Sequence, residues 1–553
     1  MRTIHNWLSS IGRVRQKPLE CPTWPPDLFA VAGALLRLSG AYIEIFAHKP
    51  KSGMTRDQAI EVGRLWREKI DAMKRPSPSL LKGALPPAVR QIWARLIDEK
   101  STSIRTINGN VSLARSLISL VAIADEACGG IGIDIPSKDT RFLALANAIR
   151  ISNDRQSFGW DIPLDAIGVL PKQHTPQRGA TLRSLTHHLA LYLPNDIQAH
   201  WVGPFENLEK QKAAETLNFL LVPSPFVIES EDFRVVHPLN STGTYFEYNP
   251  SRQTSKGVVA RWLEQAFRVA RKQAASIDVV VYPELALSVE EYFEVEAACI
   301  AQGAMLIAGV RAPAAKGRRG LNMCLLQPAG LLLRDGSKAS KRDRGLLIRD
   351  NRLYQFKHHR WRLDRTQIVD YQLAGHVQPA KWIWENIDIH PRRLNFLTLG
   401  NWMTWTALIC EDLARQDPAA DLIRSVGPNL LVALLMDGPQ IHGRWSSRYA
   451  SVLADDPGTS VLTLTSLGMA ERSRPTLSTT GKRADKNRTI GLWKDIDCGE
   501  HEIILDAGDN ACVLTVALVR KAEISADGRE DGGNSTYPVF AGYKSIRVAT
   551  KGI

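Results

Sequence analysis

The chain has 553 residues, 70 Lys and Arg against 57 Asp and Glu, and a formal net charge of +13. That length is too great for one compact core, and apolar and charged fractions of 44% and 23% are those of an ordinary globular protein. No apolar run approaches the ~20 residues that span a bilayer, the N-terminus lacks a secretory pattern, and seven scattered cysteines fit reduced thiols of a cytoplasmic protein.

Residues 1–215 read as an α-helical domain with no clear β-pattern. Pro26 to His48 is apolar with helical character, and Thr55-Arg-Asp-Gln58 is a capping box that opens a helix toward Met73. Further helical stretches lie near Pro87–Glu99, Val111–Ala127, Arg141–Ile151 and Leu182–Leu193. Proline-rich joints at Pro25-Pro26, Pro76, Pro78, Pro86-Pro87 and Pro171 punctuate them. No catalytic motif or repeat occurs in this segment, so its expected work is oligomerisation or the binding of a partner.

A second domain spans 216–553. Its lead-in, Asn218 to Ile228, is an apolar strand broken by Pro223 and Pro225. Helix-type residues 255–275 follow, then the buried-type strand Val279-Val-Val-Tyr-Pro283-Glu284, a helix over Glu290–Gln302 and the strand Ala304–Val310. Gly320 to Gly330 reads as a hairpin carrying Asn322, Pro328 and Gly330. A basic, Trp-containing insertion covers about 334–400, with Lys357 inside Tyr354-Gln-Phe-Lys357-His358-His359. Thr406-Ala-Leu-Ile-Cys410-Glu411-Asp412 then sets a cysteine where an apolar strand ends. Asn429–Met436 is the next strand, Trp445–Leu453 a helix and Ser460–Gly468 a strand.

Glutamate, lysine and cysteine at these places can form one hydrolytic site. A free thiol has a pKa near 8.5, so a base must take its proton before it attacks. An ammonium beside it stabilises the oxyanion that attack creates. A cysteine ending an apolar run is more often a small buried hydrophobe, which suffices for Cys299, Cys324, Cys498 and Cys512. It explains Cys410 poorly, because Glu411-Asp412 follows at once and two other motifs stand in order upstream.

From about residue 230 to 520 these segments resemble the nitrilase superfamily of carbon–nitrogen hydrolases, in order, spacing and strand context. The resemblance implies an α+β fold, an α-β-β-α sandwich of the nitrilase type, preceded here by the helical domain. It implies Glu284 as base, Lys357 and the Glu411 backbone N–H as oxyanion donors, and Cys410 as the nucleophile that forms a thioester. It further implies a small amide or nitrile substrate with a non-peptide C–N bond, no cofactor or metal, and a homodimer or higher homo-oligomer. One feature departs from the family: no glutamate lies between His358 and Leu373, where a supporting carboxylate is usual. Asp364 and Asp370 are the nearest candidates for that support, and Glu385 lies far along the insertion. The lead-in also faintly resembles nitrilase-like domains attached to bacterial defence-type reverse transcriptases. That suggests an alternative, a non-catalytic effector or scaffold that binds nucleic acid or a protein.

Between Arg334 and Arg365 eleven Lys or Arg face four Asp, with Tyr354, Phe356 and Trp361 interleaved. Lys341, Arg342, Arg344, Arg360 and Arg362 are therefore candidates to contact nucleic acid or another anion. A basic flap at the mouth of the site is the preferred reading. His358, His359, His376 and His390 lack partner ligands at metal spacing. Ala454-Asp455-Asp456 reads as a helix end, and Cys128-Gly-Gly-Ile-Gly as a turn without a nucleotide fingerprint.

Overall fold

The computed structural model describes residues 2–44, 54–74, 77–131, 141–152, 157–173, 175, 179–193, 197–203, 216–238, 243–251, 254–315, 318–334, 340–377, 382–399, 403–473, 487–530 and 535–549. Strands without polar alternation need cover on both faces, and two seven-stranded sheets laid face to face supply it. Val279–Ser288 is central in the first, parallel to Thr216–Leu221 and Met305–Ala312 on either side. Leu430–Leu435 is central in the second, parallel to Met403–Ile409 and Ser460–Thr465. Phe219, Val281 and Ile307 of one sheet meet Trp405, Ala407 and Leu434 of the other. Phe219 stacks on Trp405 with ring centroids 5.6 Å apart.

Helices close the outer faces. Val258–Ala270 and Val289–Gln302 pack Trp262, Phe267 and Tyr292 on the first sheet. Ala420–Val426 and Trp445–Asp455 pack Ile423, Ala450 and Leu453 on the second. The layer order is the expected α-β-β-α sandwich. The insertion supplies two strands of something unanticipated, a four-stranded sheet ordered Arg362–Asp364, Trp382–Glu385, Tyr245–Tyr248, Phe233–Val236. Its apolar face clusters Phe233, Phe246, Leu363 and Ile383 with Leu285, Tyr371 and Met436.

Helices Pro25–Ser39, Arg56–Asp71, Pro87–Asp98, Val111–Ala127 and Arg141–Ser152 hold a separate core around Trp24, Trp66, Leu117 and Phe142. The expected capping box is present, with Thr55 Oγ1 accepting from Gln58 N and Gln58 Oε1 from Thr55 N. Residues 45–48, at the end of the first apolar stretch, lie outside the described residues. The reading of 1–215 as purely helical needs correction at three places. Leu182–Leu193 is a single 3₁₀ turn, Leu182–Leu185, followed by the strand Leu189–Tyr192, which pairs antiparallel with Gly168–Pro171. All four residues of that strand are buried, which leaves no polar face for a surface helix. Gln198–Val202 then joins the edge of the second sheet, parallel to Arg393–Leu399. A boundary at 215/216 therefore cuts across a sheet. Strands of four or five residues offer too few positions for a period to show in the sequence.

Candidate active site

Glu284 is delivered by an irregularity in its strand. Pairing with Met305–Ala312 slips between Tyr282 and Leu287, and Leu285 takes φ 56°. The slip brings the Pro283–Glu284 backbone against Gly309, where a Cβ would stand 2.1 Å from the Pro283 carbonyl oxygen. Only glycine admits that approach.

Cys410 stands between the strand Met403–Ile409 and the helix Glu411–Ala414. Its φ of 46° and ψ of −107° lie in a sparsely populated region for a residue with a side chain. Backbone persists there only where neighbours over-determine it, and such positions cluster at functional sites. The Cys410 N–H donates to Leu434 O at 2.8 Å and Leu413 N to Cys410 O at 2.9 Å.

Lys357 follows the strand Leu353–Phe356, its N–H donating to Asn322 O at 2.9 Å. Its ammonium donates to Glu284 Oε1 and Glu385 Oε2, both at 2.8 Å. Asn322 Nδ2 also bridges the two carboxylates, donating to Glu284 Oε1 and Glu385 Oε1 at 2.8 Å each. Trp361 N donates to Glu385 Oε2 at 3.0 Å. Lys357 has no exposed surface, and Glu284 and Glu385 are 1% and 3% exposed. Glu284 Oε2 accepts nothing from any described residue.

The charges explain the protonation preferences. Burial raises the Glu284 carboxyl above the ordinary carboxylate value; Lys357 opposes that shift, and Glu385 reinforces it. Burial alone would lower Lys357, but Glu284 and Glu385, joined by Cys410, hold it well above the usual lysine value. Burial pushes the Cys410 thiol well up and Glu284 adds to the rise; Lys357 and the Met436 N–H at the sulfur work against it. These effects favour the neutral thiol at Cys410, so attack by this sulfur would need a neighbouring base to take its proton.

Two further groups shape the site. Asp412 takes N–H donors from His358 at 2.9 Å and His359 at 3.0 Å, and lies 3.0 Å from His359 Nδ1, so the turn after Lys357 is locked to the turn after Cys410. Asp437 accepts from Tyr371 Oη, from Arg444 at 2.8 Å and from Trp445 Nε1 at 2.9 Å. Its charge acts on Cys410, which places this wall beside the thiol. The Tyr371 segment is held down by Arg472, which donates to Tyr371 O at 2.6 Å, Gln372 O at 2.8 Å and Ile228 O at 2.7 Å.

Of the residues singled out in the sequence, Glu284, Lys357 and Cys410 come together and Glu411 follows directly. Asp364 and Asp370 do not. Asp364 caps the helix Arg365–Asp370 in a capping box with Gln367, and Asp370 is exposed. The second carboxylate on Lys357 is Glu385, which the strand Trp382–Glu385 carries back to it. Asn322, Asp412 and Asp437 were missed as site residues. Their signals were present: Asn322 in the Gly320–Gly330 segment, Asp412 two residues past the cysteine, Asp437 at the end of an apolar strand. Gly320 to Gly330 is not a hairpin: the strand Leu321–Gln327 runs into the short helix Ala329–Leu333.

The basic insertion splits. Arg342 and Arg344 are exposed on the helix Lys341–Asp350, while the side chain of Lys341 lies outside the described residues. Arg360 and Arg362 line a groove with His358 and His359. His376 pairs with Glu231 at 3.1 Å and His390 is exposed. Among the described residues no group of three or more His, Cys, Asp or Glu is placed to hold a metal, and no helix is long and apolar enough to cross a membrane. Asp455 ends the helix Trp445–Asp455, as expected.

No family model and no curated protein matches the chain. Solved structures of nitrilase-superfamily proteins do, over roughly half of it. An amidase from Nesterenkonia sp. shares 10% identity at a TM-score of 0.30, covering 55% of this chain and 90% of its own. Saccharomyces cerevisiae Nit3, a member of the nitrilase superfamily, shares 11% at 0.29, covering 52% and 86%. The CN-hydrolase superfamily protein XC1258 from Xanthomonas campestris shares 10% at 0.27, covering 61% and 92%. At such identities and scores the site stands on its own geometry.

Proposed function

We propose that the protein is a thiol amidohydrolase that cleaves a non-peptide C–N bond in a small amide. The observation that supports this most is Lys357, wholly buried between Glu284 and Glu385 and electrostatically coupled to Cys410 at a strained strand end. A buried ion cluster of this kind is costly to form, and its specific geometry beside a thiol suits acyl transfer.

In this reading Glu284 accepts the Cys410 proton as sulfur attacks the amide carbon. Lys357 and the Glu411 N–H receive the developing oxyanion. The C–N bond breaks as Glu284 returns the proton to the departing nitrogen, leaving a thioester. Water, deprotonated by Glu284, then attacks the thioester carbonyl, and the cysteine leaves with the proton. Glu385 keeps Lys357 charged and oriented throughout. Asp437, Tyr371 and Arg444 form the wall that a substrate side group meets.

The first test is limiting iodoacetamide followed by mapping of the alkylated cysteine. Labelling of Cys410, nine-tenths buried or more, ahead of the exposed Cys498 is expected. Glu284→Gln should slow it on the order of 100-fold, the usual contribution of a positioned base. Labelling in the order of exposure alone, unaffected by Glu284→Gln, would refute an activated nucleophile. Ammonia release from an amide panel, lost in Cys410→Ala, then reads turnover.

A further inference from the structure

The small sheet has two faces. Along Trp382–Glu385, Ile383 and Glu385 are buried while Trp382 and Trp384 point the other way. Glu385 reaches Lys357; Trp384 lines an open groove of about 700 Å³. Strand register fixes what stands beside it. Arg362 pairs with Trp384 on one side and Tyr245 pairs with Trp384 on the other, so cation, indole and phenol form one row across three strands. Strand spacing makes that row about 10 Å long. Trp382, 51% exposed, prolongs the aromatic surface by one pleat.

Cations surround the row. Arg360, Arg392 and Arg415 line the same groove, and Arg319 lies over the Tyr245 ring, 4.5 Å from its centroid. The groove's one carboxylate among the described residues, Glu411, is already bonded to Arg415. Arg360 is held below the usual arginine value, first by burial and then by Arg319. Like charges crowded this closely disfavour one another in the free protein, and an anion relieves that.

We propose that this face binds single-stranded nucleic acid, with bases stacked on Trp384 and Tyr245 and phosphates on Arg360, Arg362 and Arg392. Rings alternating with guanidinium groups suit unpaired bases and their backbone, because each base offers a π-face and each linkage a charge. A duplex hides its base faces and would engage only the cations. An acidic protein would match the charge but has no use for the aromatic row.

Fluorescence anisotropy of the full chain with a labelled oligonucleotide of roughly 20 thymidines or uridines, in about 50 to 300 mM salt, tests this. Arg362→Glu should weaken binding on the order of tenfold and flatten the salt slope by about 0.7, the value of one lost phosphate contact. Trp384→Ala should weaken it about tenfold and leave the slope unchanged. Arg342→Glu with Arg344→Glu, on the exposed helix, should cost less than about twofold. Should Trp384→Ala unfold, as circular dichroism would reveal, Trp382→Ala reads the same stacking from an exposed position. The proposal fails if the wild type does not bind at about 50 mM salt, or if the helix variant costs as much as the groove variants. It fails equally if polyglutamate or duplex competes as well as the single strand.

Discussion

Two of the buried ionic clusters among the described residues are built differently. In the helical region Arg529 is fully enclosed, donating from Nε to Asp527 at 2.9 Å and from Nη1 to Asp125 at 3.2 Å and Glu126 at 2.5 Å, with Nη2 on Leu185 O. Asp125 also accepts N–H groups from His187, His188 and Leu189. No side-chain atom of Arg529, Asp125, Glu126 or Asp527 is buried without a partner. Around Lys357, by contrast, Glu284 Oε2 and Asn322 Oδ1 are buried with none among the described residues. A complete network fastens a fold, here the segment around Ser525–Arg529 to the helical core. An incomplete one forgoes stability, and on the proposed function the open acceptor serves the chemistry.

The sharpest way to break the comparison is to remove one member from each cluster. Cys410→Ala should abolish amide turnover, a loss on the order of 1000-fold or more, with the melting temperature nearly unchanged. Arg529→Met should do the reverse. It strands Asp125 without its buried cation and should cost about 3–5 kcal/mol of stability in denaturant titrations, while kcat of the folded fraction holds. If either substitution damaged both properties equally, the two clusters would not differ in kind.

Glu284→Gln sharpens the same point. Turnover should fall on the order of 100- to 1000-fold. Thermal stability should hold or rise, since an amide replaces a buried carboxylate whose second oxygen has no partner. A clear loss of stability would show that Glu284 fastens the fold as Asp125 does.

How far the sequence revealed each cluster follows from chain distance. Glu284 and Cys410 end buried-type strands that the apolar runs announce, and Lys357 sits in a short segment between them. Glu385 is 28 residues past Lys357, on a strand formed only because the insertion folds into a sheet with Tyr245–Tyr248. No local pattern encodes that parallel pairing, so Asp364 and Asp370 looked nearer than they are. The Arg529 cluster was invisible for the same reason, with partners about 400 residues apart. Helices with a full period, such as Val111–Ala127, were read to the residue; the four-residue strands beside them were not.

Smaller effects come from pH. Glu385 is one cause of the raised Glu284 carboxyl, so Glu385→Gln should lower it and move the acid limb of kcat/KM to lower pH. For Asp125 the direction is opposite. Its burial would raise the carboxyl, but His188, Arg529 and His187 outweigh that and hold it at about 2, below the roughly 4 of a free aspartate. A depressed carboxyl contributes stability above its unfolded value, roughly 2 kcal/mol here, and loses it as pH falls from about 4 to 2. The stability gap between wild type and Asp125→Asn should therefore narrow across that window.

The smallest expected change concerns the segment beside Cys410. Cys410 is 5% exposed, and the Tyr371–Gln372 segment beside it is held by Arg472 through carbonyls on two chain segments, with Gln372 at φ 54°. On the proposed function, a substrate would have to pass this segment to reach the sulfur. Arg472→Ala removes the clasp and touches none of Glu284, Lys357 or Cys410, so the chemical step should be unaffected. Iodoacetamide labelling of Cys410 should then quicken by a few-fold, as local opening becomes easier. Ammonia release under saturating amide should change less than the labelling rate. Unchanged labelling would mean that access runs elsewhere, and the Arg472 clasp would belong with Arg529 as a fastening of the fold.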